Sequence, residues 1–202
     1  MKQRTIKKIT IICEGYEEFD YLLRLLHCGV WDGAYTVRIK NAKSINNIPP
    51  VYQNEFQNDN ADLIVVFCDT ELYPYEQFRS ICEKIDRFHD KKVSRYLVYF
   101  SNPCTMQVQL SHFAKVSLAT NSKHENAPLI RQLTGVENYR ARDDQRRGIN
   151  RLINAENYYT MKRNIEHLSR NFKKKPSTNF ITLLNYLENP DSSWVDRIAR
   201  KL

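Results

Sequence analysis

An α/β domain, with a mostly parallel four-stranded sheet flanked by helices and a helical C-terminal half, is the fold class predicted by this chain of 202 residues. Three observations predict it. Short apolar runs recur along the first hundred residues, and the strongest, Leu63 to Cys68, has no polar interruption, as suits a strand covered by helices on both faces. Between these runs lie segments whose apolar residues recur at helical spacing, and strand–helix–strand alternation of this kind argues a parallel sheet. Beyond residue 118 the runs give way to polar segments with helical periodicity.

The elements follow in order. Ile6 to Cys13 reads as a strand whose second half is apolar on both faces. Glu14-Gly15 turns the chain, with Gly15 read as a place for unusual backbone angles or close approach of a ligand. Phe19, Leu22, Leu23 and Leu26 form the apolar face of a helix ending at Cys28-Gly29. Tyr35 to Ile39 alternates as a second strand, and a helix is placed over residues 50–57, after Pro49-Pro50. After Leu63–Cys68, Pro74 opens a helix carrying Phe78, Ile81, Cys82, Ile85 and Phe88, and Tyr96 to Phe100 is the fourth strand.

Downstream, Met106, Leu110 and Phe113 mark a helix within residues 103–116, and Asn121 to Pro128 reads as a loop. Tyr158, Met161, Ile165 and Leu168 line another helix, and Pro176-Ser177-Thr178 opens a last one with Phe180, Leu183, Leu184 and Leu187 inward. The expected division is an α/β domain over 1–118 and a basic, mainly helical region over 119–202 packed on it.

Composition excludes several classes. No apolar run approaches the roughly 18–20 residues of a membrane span. A basic start, Met1 to Ile6, leads into a strand-like pattern instead of a signal-peptide block, so a cytoplasmic location is expected. The five cysteines are scattered without a C-x-x-C pair, as fits small buried side chains in a reducing compartment better than disulfides or zinc. There is no Walker-type phosphate loop and no Gly-x-Ser-x-Gly, which argues against an ATPase or a serine hydrolase.

Formal net charge is +8, and Tyr139 to Lys175 holds 11 Lys+Arg against 4 Asp+Glu, so 11 − 4 = +7 falls in that segment. Such a region points to a polyanionic partner, foremost nucleic acid. Arg140, Arg142, Arg146, Arg147 and Arg151 are the candidate phosphate contacts, with Tyr139, Tyr158 and Tyr159 near enough in sequence to stack on bases. Asp143 and Asp144 lie among them and also allow a lattice of intrahelical ion pairs.

The chemistry centres on strand ends. Glu14 follows the first strand, Asp69 and Glu71 follow the third, and Ser101-Asn102 follows the fourth. In parallel sheets ligands bind beyond the carboxyl ends of the strands. Carboxylates gathered there suit Mg²⁺ or Mn²⁺, hard cations held by carboxylate oxygens, substrate phosphates and water. Glu14 is the candidate acid/base or ligand, and Asp69 and Glu71 are candidate ligands. Taken singly, each carboxylate could instead cap the following helix.

This layout resembles the Toprim domain of topoisomerases, primases and several nucleases, in which a Glu follows the first strand and Asp-x-Asp a later one. More narrowly it is similar to the RloB-like family of prokaryotic defence-associated proteins, through Ile12-Cys13-Glu14-Gly15, Phe67-Cys68-Asp69-Thr70-Glu71, Ser101-Asn102-Pro103-Cys104, His112-Phe113 and Lys175-Pro176-Ser177-Thr178-Asn179. The resemblance implies a magnesium-dependent nuclease in antiphage defence, a partner ATPase, and site roles for Gly15, Ser101, Asn102 and His112. The chain departs from the pattern twice: Glu71 replaces the second Asp, and Thr105-Met106 stands where Phe-Glu is expected. Glu17 and Asp20 are the acidic residues at hand to substitute. Two other readings stand beside the nuclease. One is a non-catalytic nucleic-acid-binding or regulatory subunit with a degenerate site, and the other is a phosphotransfer enzyme acting on a small molecule.

Overall fold

The computed structural model describes residues 6–202, so the first five residues of the basic start lie outside it. In chain order the elements are β1 (Lys7–Cys13), α1 (Tyr16–His27), β2 (Tyr35–Asn41), α2 (Ile48–Gln57), β3 (Leu63–Asp69), α3 (Glu76–Phe88), α4 (Ser94–Leu97), β4 (Val98–Asn102), α5 (Met106–Leu110), α6 (Lys123–Thr134), α7 (Asp143–Leu152), α8 (Ala155–Glu166), β5 (Ser177–Thr178), α9 (Phe180–Glu188) and α10 (Ser193–Ala199). A single 3₁₀ turn, Ile45–Asn47, precedes α2.

The sheet has five strands in the order β2-β1-β3-β4-β5. The pairs among β1 to β4 are parallel, and β5 runs antiparallel to β4. The central strands are as apolar as their burial requires: Ile11, Ile12 and Cys13 in β1, and Leu63 to Cys68 in β3, are buried on both faces. The chain leaves β1 for β2 on one side and returns across β1 to β3 on the other. The direction of winding therefore reverses between β1 and β3, and beyond that point their carboxyl ends leave a crevice.

Several expectations change. A fifth strand joins the four: Ser177-Thr178, read as the start of a helix, instead seals the edge of β4. The Thr178 hydroxyl donates to the Phe100 carbonyl at 2.6 Å, and the Asn179 side chain accepts from Phe100 N and donates to Val98 O. Tyr96 and Leu97 complete the short helix α4, which shifts β4 two residues later, so Ser101 and Asn102 lie within it and are buried. Of the loop expected over 121–128, residues 123–128 are helical and belong to α6. Ser122 caps α6 by accepting from Glu125 N, and the helix tolerates Pro128 at the loss of one backbone donor while burying Ile130. The helix expected over 103–116 is confined to α5.

The second half does not pack as one unit. Residues from α8, α9 and α10, with Leu168, join the main core around the sheet, where Phe180 stacks on Phe67 at 4.2 Å. Cys104, Met106, Leu110, Val116, Leu118, Ile130, Tyr139 and Ile149 form a separate, smaller core. This smaller cluster carries α6 and α7 to the carboxyl side of the sheet. Among the described residues, no helix is long and apolar enough to cross a membrane.

Candidate active site at the carboxyl edge of the sheet

Glu14 leaves the end of β1, Asp69 closes β3, and Glu71 stands two residues further on. All three line one pocket of about 210 Å³, together with Glu17 and Glu18 from the first turn of α1, Thr105 and Met106 from the start of α5, and Asn121, Lys123, Asn126 and Ile130 from α6 and the residues before it. The register explains the meeting. Cys13 pairs with Phe67, so β3 runs two residues past the end of β1 and the residues after both strands open into the same crevice. The three strand-end acids therefore line one pocket, and α6 contributes to its wall.

Each carboxylate has its own surroundings. Glu18 accepts from Gly15 N at 3.0 Å, capping α1 from inside. Glu17 accepts from the Tyr139 hydroxyl at 2.7 Å and pairs with the Lys123 ammonium. Asp69 accepts from the Thr105 hydroxyl at 2.8 Å, and Glu71 accepts from the Asn121 amide at 3.2 Å. Glu14 differs: the Asp69 backbone N–H donates to its carboxyl, but its buried Oε2 meets no hydrogen-bond partner among the described residues.

Burial and mutual repulsion leave Glu14, Glu18 and Asp69 reluctant to ionise. Burial, aided by the charges of Glu18 and Glu71, pushes the Glu14 carboxyl up to about 8. Burial, then Glu18 and Glu14, holds Asp69 well above the usual carboxylate range, and burial with the charge of Glu17 raises Glu18. Burial opposes the charge on Lys123, but Glu17 outweighs it and keeps the ammonium above its usual value, with Glu18 and Asp69 adding to the attraction. Among the described residues the pocket thus gathers five carboxyl groups against one lining cation, which, on top of burial, is why three of them hold their protons.

The donor chemistry fits a hard divalent cation: carboxylate oxygens, one of them a buried orphan, with acid groups whose protons a cation would displace. The grouping is looser than the strand ends suggested. Among the described residues, no three His, Cys, Asp or Glu side chains stand together as a set able to hold a metal ion. The reason is visible in the partners of Asp69, Glu71, Glu17 and Glu18, each of which is turned toward a donor of the protein itself.

Other candidates lie elsewhere. Gly15 lines the pocket, but its φ of −146° is extended backbone open to any residue. A Cβ there would meet only Glu18 Oε2, at 3.5 Å. Ser101 donates to Cys104 O, and Asn102 donates to the carbonyls of Phe172 and Lys174, so both hold loops and neither lines the pocket. His112 is buried between the Tyr21 hydroxyl (3.0 Å) and Asn157 Oδ1 (3.1 Å), and burial pushes it down to about 4. It is a neutral core histidine. Met106 forms an apolar wall of the pocket where the family pattern expects an acid.

The arginines divide. Arg146 is turned inward, bonded to Asp20 at 2.7 Å and to Asp143 and the Ala141 carbonyl, which also removes Asp20 from the list of substitutes. Arg147 pairs with Asp143 on the exposed face of α7. Arg140, Arg142 and Arg151 are exposed. Tyr139 and Tyr158 are buried, bonded to Glu17 and Glu188, so of the three tyrosines only Tyr159 offers a ring to solvent.

Lys123 and Thr105 line the pocket, and Tyr139, read from the sequence as a stacking residue, instead holds Glu17; the linear pattern did not reveal these roles, because all three arrive from elements whose position depends on tertiary packing. Compared with protein-family models, with curated proteins and with solved structures, the chain gives no match.

Proposed function

We propose that this chain is a divalent-cation-dependent enzyme of Toprim type that cleaves phosphodiester bonds in nucleic acid. The observation that supports it is the carboxylate pocket at the point where the sheet reverses its winding, with Glu14 Oε2 buried and unpartnered. Asp69 and Glu71 would hold Mg²⁺ or Mn²⁺, with Glu14 as a further ligand or as the acid/base, once their side chains turn in from their present partners. The cation, when bound, would neutralise the carboxylates and polarise a phosphoryl oxygen.

The protein's own groups have distinct tasks in this reading. Glu14 has one of two tasks: as a ligand it would yield to the cation the proton that its carboxyl, raised to about 8, holds in the metal-free pocket, and otherwise it keeps that proton and can give it to a departing oxygen. In the metal-free pocket Thr105 holds the Asp69 carboxylate in place, and Lys123 with Tyr139 fixes Glu17. The RloB-like resemblance of these same segments extends the proposal to an antiphage role with a partner ATPase. Co-purification with an ATPase would test that extension.

The central test is cleavage. The purified chain, alone and with its partner, is expected to cut DNA or RNA in Mg²⁺ or Mn²⁺, and Glu14→Gln and Asp69→Asn are each expected to lower the rate at least 100-fold, as loss of an essential acid or ligand does. Cleavage that survives both substitutions overturns the proposal. A second reading, a nucleic-acid-binding subunit without catalysis, is favoured by Met106 and by the looseness of the carboxylate group. Calorimetry separates the two: cation binding supports the enzyme, and nucleic-acid binding with no cation binding supports the subunit.

A further inference from the structure

Two large aromatic side chains with rings open to solvent stand beside the pocket's carboxylates in the chain, one lining the pocket and one on the loop after Glu71. Tyr16, at the start of α1, lines the pocket and is 57 % exposed. Tyr73, two residues beyond Glu71, is 82 % exposed, and its neighbour Leu72 is 63 % exposed. Each ring is supported by a built contact. The guanidinium of Arg146, held by Asp20 and Asp143, lies 5.4 Å from the Tyr16 ring centroid. Tyr73 meets Tyr75 edge-on at 5.8 Å, and buried Tyr75 meets Phe172 at 5.7 Å.

The loop that presents Tyr73 is shaped for the purpose. Glu71 and Tyr75 bracket it with left-handed backbone (φ 60° and 65°), a conformation that costs energy in residues other than glycine. Between them Tyr75 N bonds back to Leu72 O at 2.8 Å, so the turn is closed and its two apolar side chains face outward.

Basic chain adjoins both rings. On the Tyr73 side, Phe172 is followed by exposed Lys173, Lys174 and Lys175, a segment that Asn102 anchors through two of its carbonyls. On the Tyr16 side, Arg146 also bonds the carbonyl of Ala141, which lies between exposed Arg140 and Arg142. Each ring thus stands within two residues of a carboxylate of the pocket and connects, through Arg146 or through Tyr75 and Phe172, to a basic segment.

We propose that this edge takes an unpaired nucleic-acid strand, with bases stacked on Tyr16 and Tyr73 on either side of the pocket and backbone phosphates on the Lys173–Lys175 and Arg140–Arg142 segments. Ring faces stack on bases only where the bases are splayed out, because a duplex keeps its own base faces covered. A pocket of about 210 Å³ with α6 residues in its lining suits one phosphodiester of a flexible strand better than a duplex, whose base faces are already covered. The inference rests on the nucleic-acid substrate of the proposed function but not on cleavage.

The test measures binding and cleavage separately. Labelled unstructured 12-nucleotide DNA and RNA strands, and a hairpin duplex of the same composition, are titrated by fluorescence anisotropy with the full chain carrying Glu14→Gln, in Mg²⁺. The unpaired strands are expected to bind at least about 10-fold more tightly than the duplex, and the DNA and RNA arms decide between the two sugars. Tyr16→Ala and Tyr73→Ala should each weaken strand binding by roughly 5- to 100-fold, the range expected for loss of one stacked base. Tyr16→Phe and Tyr73→Phe should restore it, since the ring and not the hydroxyl carries the contact. Both side chains are exposed, so unchanged melting would verify folding. Equal affinity for duplex, or tyrosine variants without effect, overturns the inference even if metal-dependent cleavage is found. Strand binding that depends on the tyrosines while no nucleic acid is cut sustains the inference and overturns the cleavage reading.

Discussion

At the scale of single residues, Glu14 is the most informative position in the chain. It ends a buried strand, its Oε2 has no partner, and its carboxyl is raised from 4.5 to about 8 by burial and by its acidic neighbours. An unfolded chain releases that proton near 4.5, so between about 4.5 and about 8 the folded protein binds a proton that the unfolded chain has lost. Stability of the metal-free protein is therefore expected to fall as pH rises through this window, and Glu14→Gln should flatten the decline. A divalent cation competes with the same proton. Added Mg²⁺ or Mn²⁺ should accordingly raise the melting temperature more at pH 8 than at pH 6, a difference that thermal scans at the two pH values would check. Glu14 was legible from the linear pattern because a charge that interrupts an apolar run marks a strand end. Met106 was legible only as a departure, and its meaning waited on seeing it form a pocket wall.

At the scale of elements, α6 decides what kind of site this is. It enters through the Ser122 cap, places Lys123 against Glu17 and lines the pocket with Asn126 and Ile130. Lys123→Met removes the ammonium that competes with a metal ion for these carboxylates. Cation affinity measured by calorimetry is expected to rise several-fold. Melting should meanwhile drop slightly, because the pair is partly exposed and such pairs are worth about 0–1 kcal/mol. Unchanged or weaker cation binding would show that Lys123 supports the pocket rather than competing within it. The segment read as a loop because Asn, Ser and Pro dominate it. Those local signals were outweighed by a cap at the first position and by one buried isoleucine docking on the smaller core.

On the scale of the whole molecule, the C-terminal helices belong to the sheet domain rather than to an appendage. Trp194 of α10 is buried, stacks on Tyr186 at 4.6 Å and donates to the Tyr35 hydroxyl at 2.8 Å, while Lys7 of β1 pairs with Asp196 at 2.6 Å. The last helix thus ties β2 to β1, the strand that carries Glu14 to the pocket. Trp194→Ala should cost about 3–5 kcal/mol, the range for truncating a large buried aromatic, and urea denaturation would measure it. A cost below about 1 kcal/mol would mean that α10 is dispensable to the sheet. The pattern of apolar residues foretold that α9 would face inward, since Phe180, Leu183, Leu184 and Leu187 repeat at helical spacing. It did not foretell which core they enter.

The sequence by itself determined the alternation of strands and helices, the identity of β1 and β3 as buried strands, and the acidic residues at their ends. Those features are local: burial on both faces demands an unbroken apolar run, and its interruption by Glu14 or Asp69 is readable without knowing any neighbour. Strand order, the fifth strand and the α6 wall of the pocket were decided only by the tertiary structure. Ser177-Thr178 is too short to show a period of two and becomes a strand because β4 offers an unpaired edge. Lys123, Tyr139 and Thr105 reach the carboxylates across long stretches of chain, through packing that no local signal encodes. The same long-range packing buried His112, Ser101 and Asn102 away from the pocket and left Tyr16 and Tyr73 open beside it.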